Sequence, residues 1–406
     1  MKRGVVWSVA VCLAAWGVPA WAQLSNDVVK IGVATDMSSL YADINGPGAV
    51  IATQMAIDDF GGNVMGKKIE LVSGDIQNKA DVAATLAGRW YDNENVDMIT
   101  DGGSSAVALA VEEVSRQKQK LVLFNGPASS DITGKSCSPY AAHWNYDTYA
   151  LSHVTGSAIV KGGGKSWFFL AADYAFGRAL QRDTAEVVEA EGGKVLGSVY
   201  APINSSDFSS FLLQAQSSKA EIIGLANAGG DATNAIKQGA EFGILKGGQK
   251  FAALLFFITD VHAMGLQAAQ GLQFTTAFYW DQNDETRAFS QRFIKEVGHM
   301  PTMVQAGVYS ATLHYLKAVK ALNSKEPLKV MEKMRETPIN DFMTHNGKLR
   351  IDGRVLRDMY LVQVKKPEES KAPWDYMKIV QTVPGEQAYR PLDKGGCPLV
   401  EAAKKG

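Results

Sequence analysis

Two short stretches place small hydroxyl side chains where an apolar run gives way to a helical pattern. In the first, Val96 to Thr100 leads through Asp101-Gly102-Gly103 into Ser104-Ser105-Ala106. In the second, Leu121 to Phe124 leads into Asn125-Gly126-Pro127-Ala128-Ser129-Ser130. Serines at a helix start either cap its free backbone N–H groups or leave those groups, and their own hydroxyls, facing a bound anion. One such loop is equally well explained by capping. Two on consecutive strands suggest a carboxylate cradle, because loops leaving the carboxyl ends of neighbouring parallel strands line one crevice.

Residues for bond-making chemistry are scarcer. Gly162-Gly163-Gly164-Lys165-Ser166 ends like a phosphate-binding loop, but position 159 is Ile where that motif needs its first glycine, and the segment precedes a strand instead of following one. No G-x-G-x-x-G follows the first strand and no G-x-S-x-G elbow is present, so neither a dinucleotide site nor a serine hydrolase is indicated. The six histidines include no pair three or four residues apart, so no metal site is expected. An enzyme is therefore not expected, and no cofactor.

The elements that must position the two loops alternate. Strands are predicted over 28–34, 69–73, 96–100 and 121–124, with helices over 49–60, 80–91 and 106–117. A second series follows: helix 149–160, strand 166–171, helix 178–191, strand 195–200, helix 208–217, strand 222–227, helix 231–242, strand 251–257 and helix 261–269. Beyond these come a strand over 271–278, helices over 285–297, 304–322 and 328–336, and short alternating segments after Lys348. Strands alternating with helices of this length specify βαβ units and parallel sheets covered on both faces.

At 406 residues the chain is long enough for two domains, each with its own core. Its 41 basic and 42 acidic residues are well mixed, which gives no reason to expect nucleic acid or an anionic membrane as partner. Residues 1–22 read as a secretory signal: Lys2 and Arg3, an apolar run to Pro19, and Ala20-Trp21-Ala22 before the cut. The mature chain is then exported, with no direct membrane insertion. Cys12 falls inside the signal, and Val11 before it does not suit lipid attachment. The remaining pair, Cys137 and Cys397, suits one disulfide tying the C-terminal tail to the first lobe, with two free thiols as the alternative.

With K-I-G-V-A-T-D-M-S-S-L-Y at Lys30 to Tyr41, G-G-S-S-A-V-A-L-A at Gly102 to Ala110, N-G-P-A-S at Asn125 to Ser129 and D-Y-A-F-G at Asp173 to Gly177, the chain resembles type I periplasmic solute-binding proteins. More narrowly it is similar to the branched-chain amino acid binders of ABC importers, with an aromatic-acid-binding subgroup among the options. The resemblance spans nearly all of the mature chain, its motifs in family order. It implies an α/β fold of two Rossmann-like lobes with parallel sheets, joined by three hinge crossovers near 146–149, 277–279 and 346–348. Lobe 1 would comprise 24–146 with 279–346, and lobe 2 would comprise 147–278 with 347–406.

The resemblance also implies a ligand set. Ser104 or Ser105 would hold the ligand carboxylate together with Pro127, Ala128 and Ser129, and Tyr41 would face it from the first loop. From lobe 2, Tyr174 and Phe176 would face the ligand, or else pack the hinge. Asn227 at a strand end would donate to a ligand polar group, or else serve as a turn residue. Trp144, Tyr146, Tyr279 and Trp280 lie at the crossovers, as pocket wall or as hinge packing.

One departure is informative. Amino acid binders hold the ligand ammonium with an acid after the strand corresponding to 251–257, whereas this chain has Phe256-Phe257-Ile258 and no acid before Asp260. A buried ammonium without a partner costs several kcal/mol, so the expected ligand is a small carboxylate, aromatic or otherwise not an amino acid. A register slip would restore Asp260 as a clamp and leave an amino acid as the alternative. The expected partners are that ligand and a membrane ABC permease, with a sensory receptor as another option and a monomer as the default.

Overall fold

The structure is a computed structural model that describes residues 28–405; the expected signal segment, 1–22, lies outside the described residues. Strands β1 (Lys30–Thr35), β2 (Glu70–Asp75), β3 (Met98–Asp101), β4 (Leu121–Phe124) and β5 (Ala141–His143) form one wholly parallel sheet in the order β2-β1-β3-β4-β5. The central strands β3 and β4 are buried along their whole length, as continuous apolar runs in parallel sheets require. Helices α1 (Gly46–Phe60), α2 (Ala80–Asp92) and α3 (Ser105–Lys118) connect them. Pro47 near the start of α1 and Gly61 at its end, with φ at 103°, set its limits.

A second parallel sheet has the order β9-β8-β6-β7, with β6 at Ser166–Ala172, β7 at Lys194–Ala201, β8 at Ile222–Ala226 and β9 at Lys250–Ala253. Edge strand β7 alternates exposed and half-buried residues, while β8 is buried throughout. Helices α4 (Ala175–Ala190), α5 (Ser209–Ser217) and α6 (Gly230–Glu241) cover it, and α7 (Ile258–Met264) follows β9.

The remaining strands make a small antiparallel sheet, β10 (Gln273–Thr276), β11 (Met359–Val364) and β12 (Met377–Val383), in that order. Helix α8 (Asp284–Val297) and the 20-residue α9 (Met303–Leu322) lie between β10 and β11 in the chain, and α9 packs along α1. Thr302 and Gln305 cap the start of α9 reciprocally.

Two apolar clusters occupy the faces of the first sheet, one around Ile31, Met98 and Leu123 and the other around Ile99, Val122 and Phe124. A third runs from the second sheet across to Tyr41, Ala128 and Tyr146, so the two halves share buried surface. Cys137 and Cys397 form a disulfide with Cα atoms 5.6 Å apart, as expected. Among the described residues no helix is long and apolar enough to cross a membrane.

Several expected elements differ. The strand predicted over 251–257 pairs only to Ala253; its apolar run continues because Leu254 to Phe257 are buried between layers, not because they extend the ladder. The helix expected over 261–269 is broken by Gly265, and a π-helical turn, Ser152–Gly156, interrupts the one expected over 149–160. Strand β5 was not anticipated, since three residues carry no readable period. The glycine run 162–164 is the turn before β6, with Gly163 at φ 103°.

Candidate functional site

The first-sheet loops meet the second-sheet loops around a partly open pocket, with about 310 Å³ of empty space counted out to its mouth. Its floor is the two serine loops. Asp101, Gly102 and Gly103 all take left-handed backbone, at φ 83°, 78° and 57°, to swing the chain from β3 into α3. A Cβ on Gly102 would lie 2.6 Å from the Phe124 ring, so only glycine fits there. Ser104 occupies the N-cap position of α3 yet makes no side-chain capping bond, and it lines the cavity. The Ser105 hydroxyl accepts from Ala128 N at 3.1 Å and from Ser129 N at 3.0 Å, which ties the second loop to the helix start. Gly126 closes the floor; a Cβ there would sit 2.7 Å from the Gly103 carbonyl.

The walls are aromatic. Tyr41 and Tyr174 face each other from loops of the two parallel sheets, hydroxyl to hydroxyl at 2.8 Å. Phe176 packs beside Tyr174, and the Tyr146 hydroxyl donates to Gly126 O at 2.7 Å while its ring meets Phe257 edge-on. Burial keeps the phenols of Tyr41, Tyr146 and Tyr174 neutral, raising each pKa above the usual phenol value. Among the described residues no Lys, Arg, His, Asp or Glu lines the cavity. Any ligand charge therefore meets hydroxyls, the Asn45 amide, backbone dipoles and the N-terminus of α3.

Of the residues singled out in the sequence, Tyr41, Ser104, Ser105, Ala128, Tyr174, Phe176 and Phe257 line this one cavity. The others do not. Pro127 is buried behind it and its carbonyl accepts from His143 Nε2 at 2.7 Å. Ser129 is fully buried, its hydroxyl accepting from Asp131 N. Phe256 points into the core against Phe274. Asp260 is turned back onto its own helix start, accepting from Phe257 N at 3.0 Å, so the acidic clamp is absent from the wall. Asn227 sits next to wall residue Ala228, 1 % exposed, with neither side-chain oxygen nor nitrogen hydrogen-bonded. At the crossovers, Tyr146 belongs to the wall, whereas Trp144 bonds to Ser310 and Trp280 to the Trp374 carbonyl.

Ile44, Asn45, Gly103, Gly126, Ala228 and Leu255 also line the cavity. Asn45 had a signal in the sequence, since Gly46-Pro47 after it marks a helix start. Leu255 had none, because an apolar run hides which residue turns outward.

A pocket between two α/β lobes, walled by aromatics and floored by hydroxyls and a helix N-terminus, is the architecture of a solute-binding protein. The sequence profile of the periplasmic binding protein family matches residues 28–371, and the chain belongs to that family. A periplasmic binding protein from Burkholderia mallei is 53 % identical, over 92 % of this chain and 99 % of its own, with a TM-score of 0.90. A branched-chain amino acid ABC transporter ligand-binding protein from Burkholderia xenovorans is 42 % identical over 92 % of this chain and all of its own, with a TM-score of 0.83. At 20 % identity, an R. palustris solute-binding protein solved with benzoate shares the fold, with a TM-score of 0.79 over 92 % of this chain and 100 % of its own. The protein is thus a binding protein of the ABC transporter family and not an enzyme.

Proposed function

We propose that the protein captures a small carboxylate, aromatic or alkyl, in the cavity under Ser104, and delivers it to an ABC permease after export with loss of residues 1–22. The observation that carries this is the wall itself: hydroxyls and a helix N-terminus at one end, five aromatic rings around it, and no acid to meet an ammonium. The aromatic lining suits a ligand with a flat apolar body. The benzoate complex of the R. palustris protein supports the same ligand class.

In this proposal Ser104, Ser105 and the loop Pro127-Ala128-Ser129 form the carboxylate end, with only Ser104, Ser105 and Ala128 in contact and Ser129 and Pro127 holding the loop. Tyr41, Tyr174, Phe176 and Phe257 grip the apolar body. Asn227, whose amide is buried and unbonded, backs the far end beside wall residue Ala228 and does not itself touch the ligand. Capture closes lobe 1 (24–146 with 279–346) on lobe 2 (147–278 with 347–406), and contacts to both lobes favour the closed state. An amino acid is the second reading, favoured by the name of the Burkholderia xenovorans relative.

A thermal-shift panel of benzoate, 4-hydroxybenzoate, hexanoate and leucine separates the two. A ligand at 100 times its Kd stabilises the folded state by about 2.7 kcal/mol, a shift of a few degrees. Shifts with the carboxylates and none with leucine support the proposal; the reverse pattern removes it.

A further inference from the structure

Behind the uncharged wall lies a carboxyl group that the cradle does not use. Asp101 ends β3 immediately before the Gly102-Gly103-Ser104 turn, is fully buried, and makes no side-chain hydrogen bond with either oxygen. Its backbone is held at φ 83°, a conformation that places the side chain under tertiary control and not under local preference. The groups that face it are Thr35 and Asp36 from the end of β1, the N–H of Gly126 from the second loop, and Tyr146 from the segment after β5. Thr35 and Gly126 approach it without closing a well-aligned bond, and no Lys, Arg or His is among the groups facing it. Asp36 is already committed, accepting from Ser39 N, Ser39 Oγ and Tyr41 N. Gly126, whose N–H faces Asp101, also lines the cavity, as does Ser104 three residues on; a carboxylate ligand in the cradle would therefore be a further anion beside a buried acid with no cation facing it, and like charges in such surroundings oppose each other.

We propose that Asp101 sets the charge class of the ligand: it is a neutral acid whenever a carboxylate occupies the Ser104–Gly126 cradle, so capture above neutral pH draws one proton from solvent onto its carboxyl. This rests on the carboxylate reading above. Burial already lifts the free group to about 7, with Asp36 adding to the effect, so the coupling falls in an accessible range.

The test is titration calorimetry with benzoate from about pH 5.5 to 8.5, in two buffers of different ionisation enthalpy. The expected result is a constant Kd below pH 7, a roughly tenfold weakening per pH unit above it, and an uptake approaching one proton. Asp101→Asn should remove the pH dependence, and Asp260→Asn should keep it. The buffer comparison on the unaltered protein needs no variant and stands if Asp101→Asn fails to fold. Benzoate binding with a flat Kd and no proton exchange overturns this inference and leaves the carboxylate reading intact. A pH dependence that survives Asp101→Asn but vanishes in Asp260→Asn overturns it in the same way. Binding of benzylamine that tightens as pH rises, with no carboxylate bound at any pH, overturns both.

Discussion

Ser104 and Ser105 stand side by side at one helix start and are used differently. Ser105 is spent holding the second loop, whereas the Ser104 hydroxyl makes no cap and faces the cavity. Ser104→Ala should leave the melting temperature of the empty protein unchanged while weakening carboxylate binding about tenfold or more, the value of a hydrogen bond to a charged group; calorimetry with benzoate reads both. Gly126→Ala should do the opposite. Its Cβ, 2.7 Å from Gly103 O, forces the floor apart, costing about 1–3 kcal/mol and lowering the melting temperature even without ligand. The buried acids carry a pH signature too. Burial raises Asp101 and Asp260 to about 7 and Asp231 to about 6, so the folded state holds more protons than the unfolded chain between about pH 4 and 7. Stability contributed by their protonated forms is complete below pH 4 and lost as pH rises through these values. The empty protein should melt lower at pH 8 than at pH 5, and Asp260→Asn should flatten that slope.

At the scale of elements, the site depends on what two sets of loops do to one another. The Tyr41–Tyr174 hydroxyl pair spans them at 2.8 Å, and Ser130 and Thr148 both donate to Asp183 of α4, at 2.7 and 2.6 Å. Arg182 adds a bond to Ser130 at 3.1 Å. In the proposed lobe division the Tyr41–Tyr174 and Ser130–Asp183 bonds cross between lobes, whereas Thr148–Asp183 lies within the second. A double-mutant cycle on Tyr41→Phe and Tyr174→Phe should give a coupling of about 0.5–1.5 kcal/mol in ligand affinity, together with a larger radius of gyration for the empty double variant in solution scattering. An unchanged radius and zero coupling would mean the pair is incidental.

Across the whole molecule, the C-terminal tail binds the crossing segment 145–147 from outside. Tyr389 donates to the Asn145 carbonyl, and buried Arg354 reaches the Tyr146 carbonyl at 3.2 Å and Asp147 at 3.4 Å. Beyond Tyr389 the chain runs to Cys397 and its disulfide with Cys137, 260 residues away in sequence. Closing so long a loop restricts the unfolded chain heavily; Cys137→Ser with Cys397→Ser should cost about 2–5 kcal/mol, seen as a lower urea midpoint and a lower melting temperature. A midpoint unchanged by the double substitution would show that the tail's hydrogen bonds suffice.

Both parallel sheets, the serine loops and the Cys137–Cys397 pairing were legible in the sequence, because period, turn residues and cysteine count are local or countable. Seven of the twelve ligand candidates proved to share one cavity for the same reason: a loop at the carboxyl end of a parallel strand must open on the crevice. Which residue of such a loop turns outward was not legible. Phe256 and Phe257 are alike in type and adjacent, yet one packs on Phe274 and the other walls the cavity, a choice made where the chain leaves the ladder at Ala253. Asp260 looked available as a clamp until its carboxylate was found holding Phe257 N. Asp101 looked like part of a turn, and only the packing of Asp36, Gly126 and Tyr146 around it shows a buried acid without a counter-ion. Burial and the identity of facing groups are properties of chain segments brought together from afar, and those the tertiary structure alone decides.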